Sequence, residues 1–517
     1  MSKKILFCSL FILIFLIPSK QDSNARTWKN CRVHAESIIA AIERGDTILI
    51  RACEIIDPLI KRGTWDKPDT IKSVIYVSYS TFLDEVDLSN CYFLYPVDFY
   101  YDSLSKHIDF FHTTFAENAV WWNTTFCHRA TFMEATFYSS ANFLGSTFDG
   151  DAIFGGTTFD SIVTFQGAIF SGFAEFRDAT FGEYADFTST TFDGLVEFLQ
   201  ASFDSSVCFK FATFGIYPIF YDANFGGYAN FWRSTFDSST NFSGVHFRDS
   251  TLFRQVTFRK GVSFGDAVFD SSSTFEDATF GGDADFSEAT FNGDADFQWV
   301  TFEGDADFSG ANFHKQVYLS PKEFMDITIS WEQLEDHLVY NRLADYQLRR
   351  HFEEKTQFDD ADRIYLFIKD QERMRKSPWV RYPEYWCIYL TCGYGTKPLN
   401  TFILSIVLVI LFAVFFTNPK AIKEIEKESR HRKRRRSYRD APKTRRKRFY
   451  YALYFSLHIF IIGVVSDWHA SDEFLIGDSK KRGIKLFRFR TLSMIEGALG
   501  WILVIILIIS LERTIGR

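Results

Sequence analysis

The sequence predicts a solenoid of short extended segments followed by helices, and three observations lead there. Large apolar residues recur from Phe82 to Phe324 at alternating intervals of six and five, and only Leu and Trp ever replace Phe. Phenylalanine, at 60 of 517 residues, is far above ordinary usage, and most of the excess lies in that stretch. Beyond it come a charged, helix-patterned segment and two strongly apolar runs, Thr401 to Thr417 and Leu492 to Leu511. A period of eleven is neither the 3.6 of a helix nor the 2.0 of ordinary strand alternation. It marks one short unit stacked on itself, a nearly one-dimensional fold.

In chain order, two lysines precede an apolar run from Ile5 to Ile17, and small residues stand at Ser23 and Ala25. This pattern predicts a secretory signal over residues 1–25, cleaved after Ala25. A retained N-terminal anchor is the alternative, although thirteen apolar residues are short for a span. Residues 26–70 read as an N-terminal cap: Ala35 to Ile42 carries helix-period apolars and stops at Gly45. Cys31 and Cys53 bracket that helix and would be able to pair if this end is exported. Cys91, Cys127 and Cys208 read as small buried side chains, and no pair has zinc-ligand spacing.

The repeat occupies residues 71–324 and is cleanest in Ala278-Thr279-Phe280-Gly281-Gly282-Asp283-Ala284-Asp285-Phe286-Ser287-Glu288. A small residue and the Phe stand two apart, so both point to one side of an extended segment while the polar residue between them faces water. Gly, Asp, Ser and Asn fill the turns, and the longer half carries one extra residue. The inward ladder includes Phe132, Phe137, Phe143, Phe148, Phe280, Phe286, Phe291 and Phe297.

Ala284-Asp285-Phe286-Ser287-Glu288, Ala295-Asp296-Phe297-Gln298-Trp299 and Ala311-Asn312-Phe313 resemble the Ala-(Asp/Asn)-(Leu/Phe)-X-X consensus of pentapeptide-repeat proteins. The resemblance implies an all-β solenoid, a right-handed quadrilateral parallel β-helix with Phe or Leu stacked inside. The alternation of six and five departs from that family's strict five. Four sides per coil imply 22 residues per coil and eleven coils, a rod about 50 Å long; a flattened coil of eleven residues is the alternative.

Residues 325–398 read as an α-helical cap and linker, with helices around Asp345–Arg350 and Asp359–Leu366 covering the rod's C-terminal end. Residues 399–517 form a membrane module with transmembrane helices near 401–417 and 492–511 and a third or re-entrant apolar segment at 449–466. The basic loop 418–448, with Arg432-Lys433-Arg434-Arg435-Arg436, belongs on the cytoplasmic side. That puts the repeat on the extracytoplasmic side, in agreement with the signal sequence. A second basic cluster, Lys480 to Arg490, joins it there if 449–466 dips in and returns.

Cys392-Gly393-Tyr394-Gly395 looks like a potassium-channel filter but precedes the first membrane helix, whereas a filter lies between two. It better resembles the Gly-Tyr-Gly-x-x-Pro turn that leads into the membrane in pentapeptide proteins carrying a C-terminal membrane module. Ala452 to Ser456 followed by Asp467 resembles the pore segment of two-helix potassium channels, yet the threonines and Gly-Tyr-Gly are replaced by Ile459 to Val465. The resemblance therefore implies a degenerate ion-channel domain used as an anchor, with Ser456, His458, Gly463 and Asp467 as its pore-like residues; other conduction is the alternative.

Acids outnumber bases about three to one within the repeat, although the whole chain carries only −8. Asp283 and Asp285, Asp294 and Asp296, and Asp305 and Asp307 form ladders of carboxylates, which usually means a solvated face; the Gly-rich calcium-binding β-roll pattern is absent. An acidic rod also resembles pentapeptide proteins that mimic DNA to block gyrase, but export keeps this one from nucleic acid. No catalytic constellation, cofactor motif or metal set stands out. The expected function is a membrane-anchored scaffold presenting a rigid acidic β-helix for protein interaction, its protein partner unidentified. Membrane lipids are further partners, and a homo-oligomer would form through the membrane module. The competing reading is an ion channel or transport-related protein with a repeat extramembrane domain.

Overall fold

The computed structural model describes residues 24–418, 422–425, 438–440, 445–462, 468–470, 474–476 and 486–515. The chain divides into two units between His351 and Phe352. Apart from Asn24 and Ala25, the expected signal segment lies outside the described residues.

Through most of the first unit each strand pairs in parallel with the strand 22 residues later, as Thr136 with Thr158 and Ala141 with Val163 show. One coil places short strands at Ala119–Trp122, Thr125–Phe126, Ala130–Thr131 and Thr136–Phe137, one for each of four sides. A 14-stranded and a 12-stranded sheet form two sides, and a 23-stranded sheet forms the other two. The flattened eleven-residue coil is therefore wrong. The solenoid also begins earlier than 71. Ala25–Lys29 already pairs with Thr47–Arg51, so the structure has about 14 turns from 25 to 328 rather than eleven from 71. The repeat signal fails there because those turns use Ile48, Ile50 and Ile55 in place of Phe.

Helix α1 (Ala35–Arg44) takes the place of strands in the first coil, burying Ala35, Ile38, Ala41 and Ile42 and closing on Gly45 at φ 73°. Cys31 and Cys53 sit one coil apart with their sulfurs 3.4 Å from each other. Between Ile60 and Asp69 the step lengthens, since Ile48 pairs with Ile75. The added residues form a bridge from Thr64 to Lys67, and Trp65 stacks on His112 at 4.0 Å. At the other end, α2 (Trp331–Leu334) follows the last coil. Gln333 Nε2 donates to the carbonyls of Phe308 (2.7 Å) and Ala311 (2.9 Å), which an open coil would leave bare. Helix α3 (Arg342–Glu354) brings His351 Nε2 to 2.9 Å from the Ile327 oxygen. The second expected cap helix, α4 (Phe358–Met374), belongs to the other unit.

The six-and-five beat has a backbone cause. In the short half, Phe132-Met133-Glu134-Ala135 closes on a hydrogen bond from Ala135 N–H to the Phe132 oxygen, with Glu134 at φ 56°. That is a type II turn, which needs a left-handed third residue. The same position recurs every eleven residues, filled by Gly145, Gly156 and Gly167 but also by Asp178, Ser189, Gln200 and Phe211. In the long half the glycines serve close approach: a Cβ on Gly194 would lie 2.1 Å from the Gly172 oxygen of the coil before.

Inward small positions hold Ala or a hydroxyl that donates to a ladder carbonyl, as Thr157 does to Phe132 (2.7 Å) and Thr190 to Phe165 (2.8 Å). Asp102 occupies such a site. It is buried, accepts from Ser80 N–H at 2.7 Å and has one oxygen without a hydrogen-bond partner among the described residues. Burial pushes its carboxyl up to about 7.

Two predictions follow from this geometry. Gln200→Gly relieves a left-handed residue and raises stability by about 1 kcal/mol, whereas Gly194→Ala lowers it by roughly 1–3 kcal/mol; thermal midpoints of both variants check this. For Asp102 the raised folded pKa means the native state holds a proton that the unfolded chain has lost. Stability from this residue is fully present below about pH 4 and is lost as pH rises to about 7, by up to about 4 kcal/mol. Asp102→Thr, which copies Thr124 of the next coil, should therefore be more stable than the parent at pH 8, the gain shrinking toward pH 4 in denaturant titrations.

Candidate functional site

The ladder residues lie wholly inside. Phe132 stacks on Phe154 at 4.9 Å, Phe137 on Phe159 at 4.9 Å, Phe143 on Phe165 at 4.8 Å and Phe126 on Phe148 at 4.5 Å. Phe280, Phe286, Phe291 and Phe297 continue the same four columns at 4.8–5.2 Å. Neighbouring columns meet edge to face, as Phe143 does with Phe154 at 85°. These side chains build the scaffold and are closed to any ligand.

The outside is less uniform than a carboxylate ladder suggests. Many of the Asp and Asn residues before an inward Phe fold back on their own turn: Asp285 accepts from Ser287 N–H (2.9 Å), Asp296 from Gln298 (2.9 Å) and Asn142 from Leu144 (2.9 Å). The turn acids reach across coils instead, Asp283 accepting from Asp305 N–H (3.1 Å) and Asp294 from Gln316 N–H (3.2 Å). Much of the acidic surface thus has a structural use.

One region of the 14-stranded side is aromatic. Tyr79 and Tyr101, both exposed, stack at 5.2 Å and 2°, and Trp122 lies 5.7 Å from Tyr101 and 6.0 Å from Tyr100. Asp98 stands between Tyr76 and Val120 in register and is only 7% exposed. Burial pushes its carboxyl up to about 7. Large apolar side chains gathered at outward positions on a rigid sheet form a contact surface. Sequence reading passed over it because its residues stand 22 apart in the chain.

In the second unit, α5 (Pro378–Glu384), a π turn (Tyr385–Tyr389) and α6 (Leu390–Cys392) lead to Gly393-Tyr394-Gly395, all three with positive φ. The Tyr394 hydroxyl donates to Glu384 at 2.9 Å, and Lys376 Nζ reaches Glu384 at 2.7 Å. This is a braced turn at the start of α7 (Pro398–Phe416).

Helices α7, α8 (Arg445–Ile462) and α9 (Phe489–Ile515) pack together. Pro398–Phe416 and Phe489–Glu512 are long and apolar enough to cross a membrane. Phe416 meets Phe455 at 5.0 Å, while Val409 clusters with Phe460 and Leu503, so α8 runs antiparallel to α7 and ends partway along it. The chain then returns: Trp468–Ala470 pairs with Ile422–Ile425, the strand that follows α7. At the centre, Ser456 Oγ donates to the Val409 carbonyl at 2.9 Å and lies in contact with Glu496, whose second oxygen is buried without a hydrogen-bond partner among the described residues. A Cβ on Gly500, one turn beyond Glu496, would fall 2.2 Å from the Phe460 oxygen, so α8 and α9 touch backbone to backbone.

Of the pore-like residues, Ser456 is in this node, but His458 is not. Its Nδ1 is 2.9 Å from the Tyr454 carbonyl and its ring contacts the Tyr454 ring at 3.9 Å, on the outer side of α8. Gly463 and Asp467 lie outside the described residues. Sequence reading missed Glu496, although a lone acid in an apolar run of this length is a signal in itself.

A family model for pentapeptide repeats (9 copies) matches residues 122–169, 231–279 and 275–320. No curated protein and no solved structure matches the chain. The repeats and the parallel solenoid they build agree with each other.

Removing the Glu496 carboxyl should loosen the three-helix node. Glu496→Ala is expected to lower the thermal stability of the helical unit in detergent by about 1 kcal/mol, Glu496→Gln by less than half of that. Ser456→Ala should add little on top of Glu496→Ala.

Proposed function

We propose that the protein is a membrane-anchored scaffold whose repeat domain presents a rigid face for binding another protein and performs no chemistry of its own. The observation that carries this reading is the aromatic region of Tyr79, Tyr101 and Trp122, held at outward positions by stacked coils that leave the backbone little freedom. Tyr and Trp dominate the binding energy of protein interfaces because they bury a large area at low entropic cost. The acidic residues around the coils add long-range charge that repels acidic partners and steers basic ones.

In this reading α7 and α9 cross the bilayer and α8 dips in from the end where α7 emerges, so that both basic segments stay on the cytoplasmic side and the repeat outside. The module then resembles a two-helix channel domain that has lost its filter and serves as an anchor, with self-association through it completing the assembly. A second reading, a transport-related module, is favoured by one observation: the Glu496 carboxyl enclosed by three helices. An ionisable group at such a depth is where a coupling ion or proton binds.

Two measurements test the choice. Full-length protein in proteoliposomes should show no ion flux above that of empty vesicles; a robust current would replace the scaffold reading with transport. A photo-crosslinking residue at Tyr101 should give one discrete adduct in the native membrane, lost in Tyr79→Ser/Trp122→Ser protein, while the same probe at Thr164 gives none. Equal labelling at both positions would contradict a specific aromatic face.

A further inference from the structure

The segment between α4 and α7 carries a feature that neither the scaffold nor the anchor reading uses. Pro378 to Cys392 is helical throughout, with the π turn at its middle. Trp379, Tyr382, Trp386 and Leu390 follow one another at helical spacing and form a single stripe. Every one is exposed, Trp379 to 90%. The opposite side is held down: Arg373 lies 4.9 Å over the Tyr385 ring and 5.8 Å from Tyr389, and Glu384 binds Lys376 and Tyr394. The stripe is therefore fixed outward by contacts on its back and is not a frayed end.

Arg381 lies 5.0 Å over the Tyr382 ring and Tyr385 5.9 Å from the Trp386 ring, but both are neighbours on the same segment, and two Trp and one Tyr this exposed need an environment with an apolar and a wet side. Amphipathic rings of this kind collect where acyl chains meet headgroups. After the turn at Gly393 to Gly395 the chain again exposes apolar side chains on α7, beginning at Leu399 and Phe402. From Arg375 to Lys397 the sequence holds four bases, Arg375, Lys376, Arg381 and Lys397, and one acid, Glu384. That balance suits an anionic headgroup layer.

We propose that Trp379, Tyr382, Trp386 and Leu390 lie in the headgroup region of an anionic bilayer, making this segment an interfacial helix that sets the depth and tilt at which α7 enters. The inference rests on the membrane-anchored reading, and its test separates the two. Full-length protein labelled with 5-fluorotryptophan is placed in nanodiscs of phosphatidylcholine and phosphatidylglycerol, with resonances assigned through Trp379→Phe, Trp386→Phe and Trp501→Phe. Trp501, exposed on α9, is the internal reference for a spanning helix. A gadolinium-chelating lipid headgroup should broaden Trp379 and Trp386 severalfold more than a doxyl group at the acyl-chain end does, while Trp501 responds to the doxyl group. If Trp501 responds to the doxyl group and Trp379 and Trp386 respond to neither probe, the interfacial assignment is wrong and the anchor stands. If none of the three responds to either, both fall.

Discussion

The fold depends on one constraint, that the ring on each side of the solenoid lies over the ring 22 residues before it. Parallel strands are set about 4.7–4.9 Å apart by their hydrogen bonds, and the stacked rings follow at 4.5 Å for Phe126 on Phe148 and 5.3 Å for Phe159 on Phe181. Backbone pairing and ring packing thus demand the same rise, and neither can slip without breaking the other. Each buried Phe contributes roughly 1.5–3 kcal/mol from area alone, with more from its stacked and edge-on neighbours. Trp121 shows the tolerance of the arrangement: it stacks on Phe143 at 4.8 Å but buries its indole nitrogen without a hydrogen-bond partner among the described residues.

What the ladders fix on the inside determines what the surface can do. Turns must alternate between a left-handed short form and a glycine-tolerant long form, and the acids beside them are drawn into backbone hydrogen bonds. An aromatic group placed on the outside inherits that rigidity, so Tyr79 and Tyr101 stack as closely as core rings do. The helical unit follows other rules. There a carboxyl, a hydroxyl and a carbonyl from three helices meet, and packing rather than period sets the positions.

The solenoid was legible because its signal is written once per side and repeated. Helix α1, closing at Gly45, was legible for the same reason as any capped amphipathic helix, and the two apolar helices fell within a few residues of Thr401–Thr417 and Leu492–Leu511. The first coils were not, since Ile48 and Ile50 fill the core without the Phe beat and the added residues near Trp65 interrupt the phase. Acids beside the inward Phe, such as Asp285, read as water-facing charge because a hydrogen bond from a backbone N–H two residues on leaves no mark in composition. The node at Glu496 was missed because its partners, Ser456 and Val409, are distant in sequence and neither is unusual alone.

The closed 22-residue coil is the claim on which the rest stands, and native Cys208 offers a direct test. In register, Asp186 on the same side of the preceding coil lies next to Cys208. On mild oxidation an Asp186→Cys protein should form an intramolecular disulfide to Cys208, identified by peptide mass under non-reducing conditions, whereas Glu197→Cys, eleven residues away, should not. A bond from position 197 to Cys208 with none from position 186 would contradict the four-sided coil.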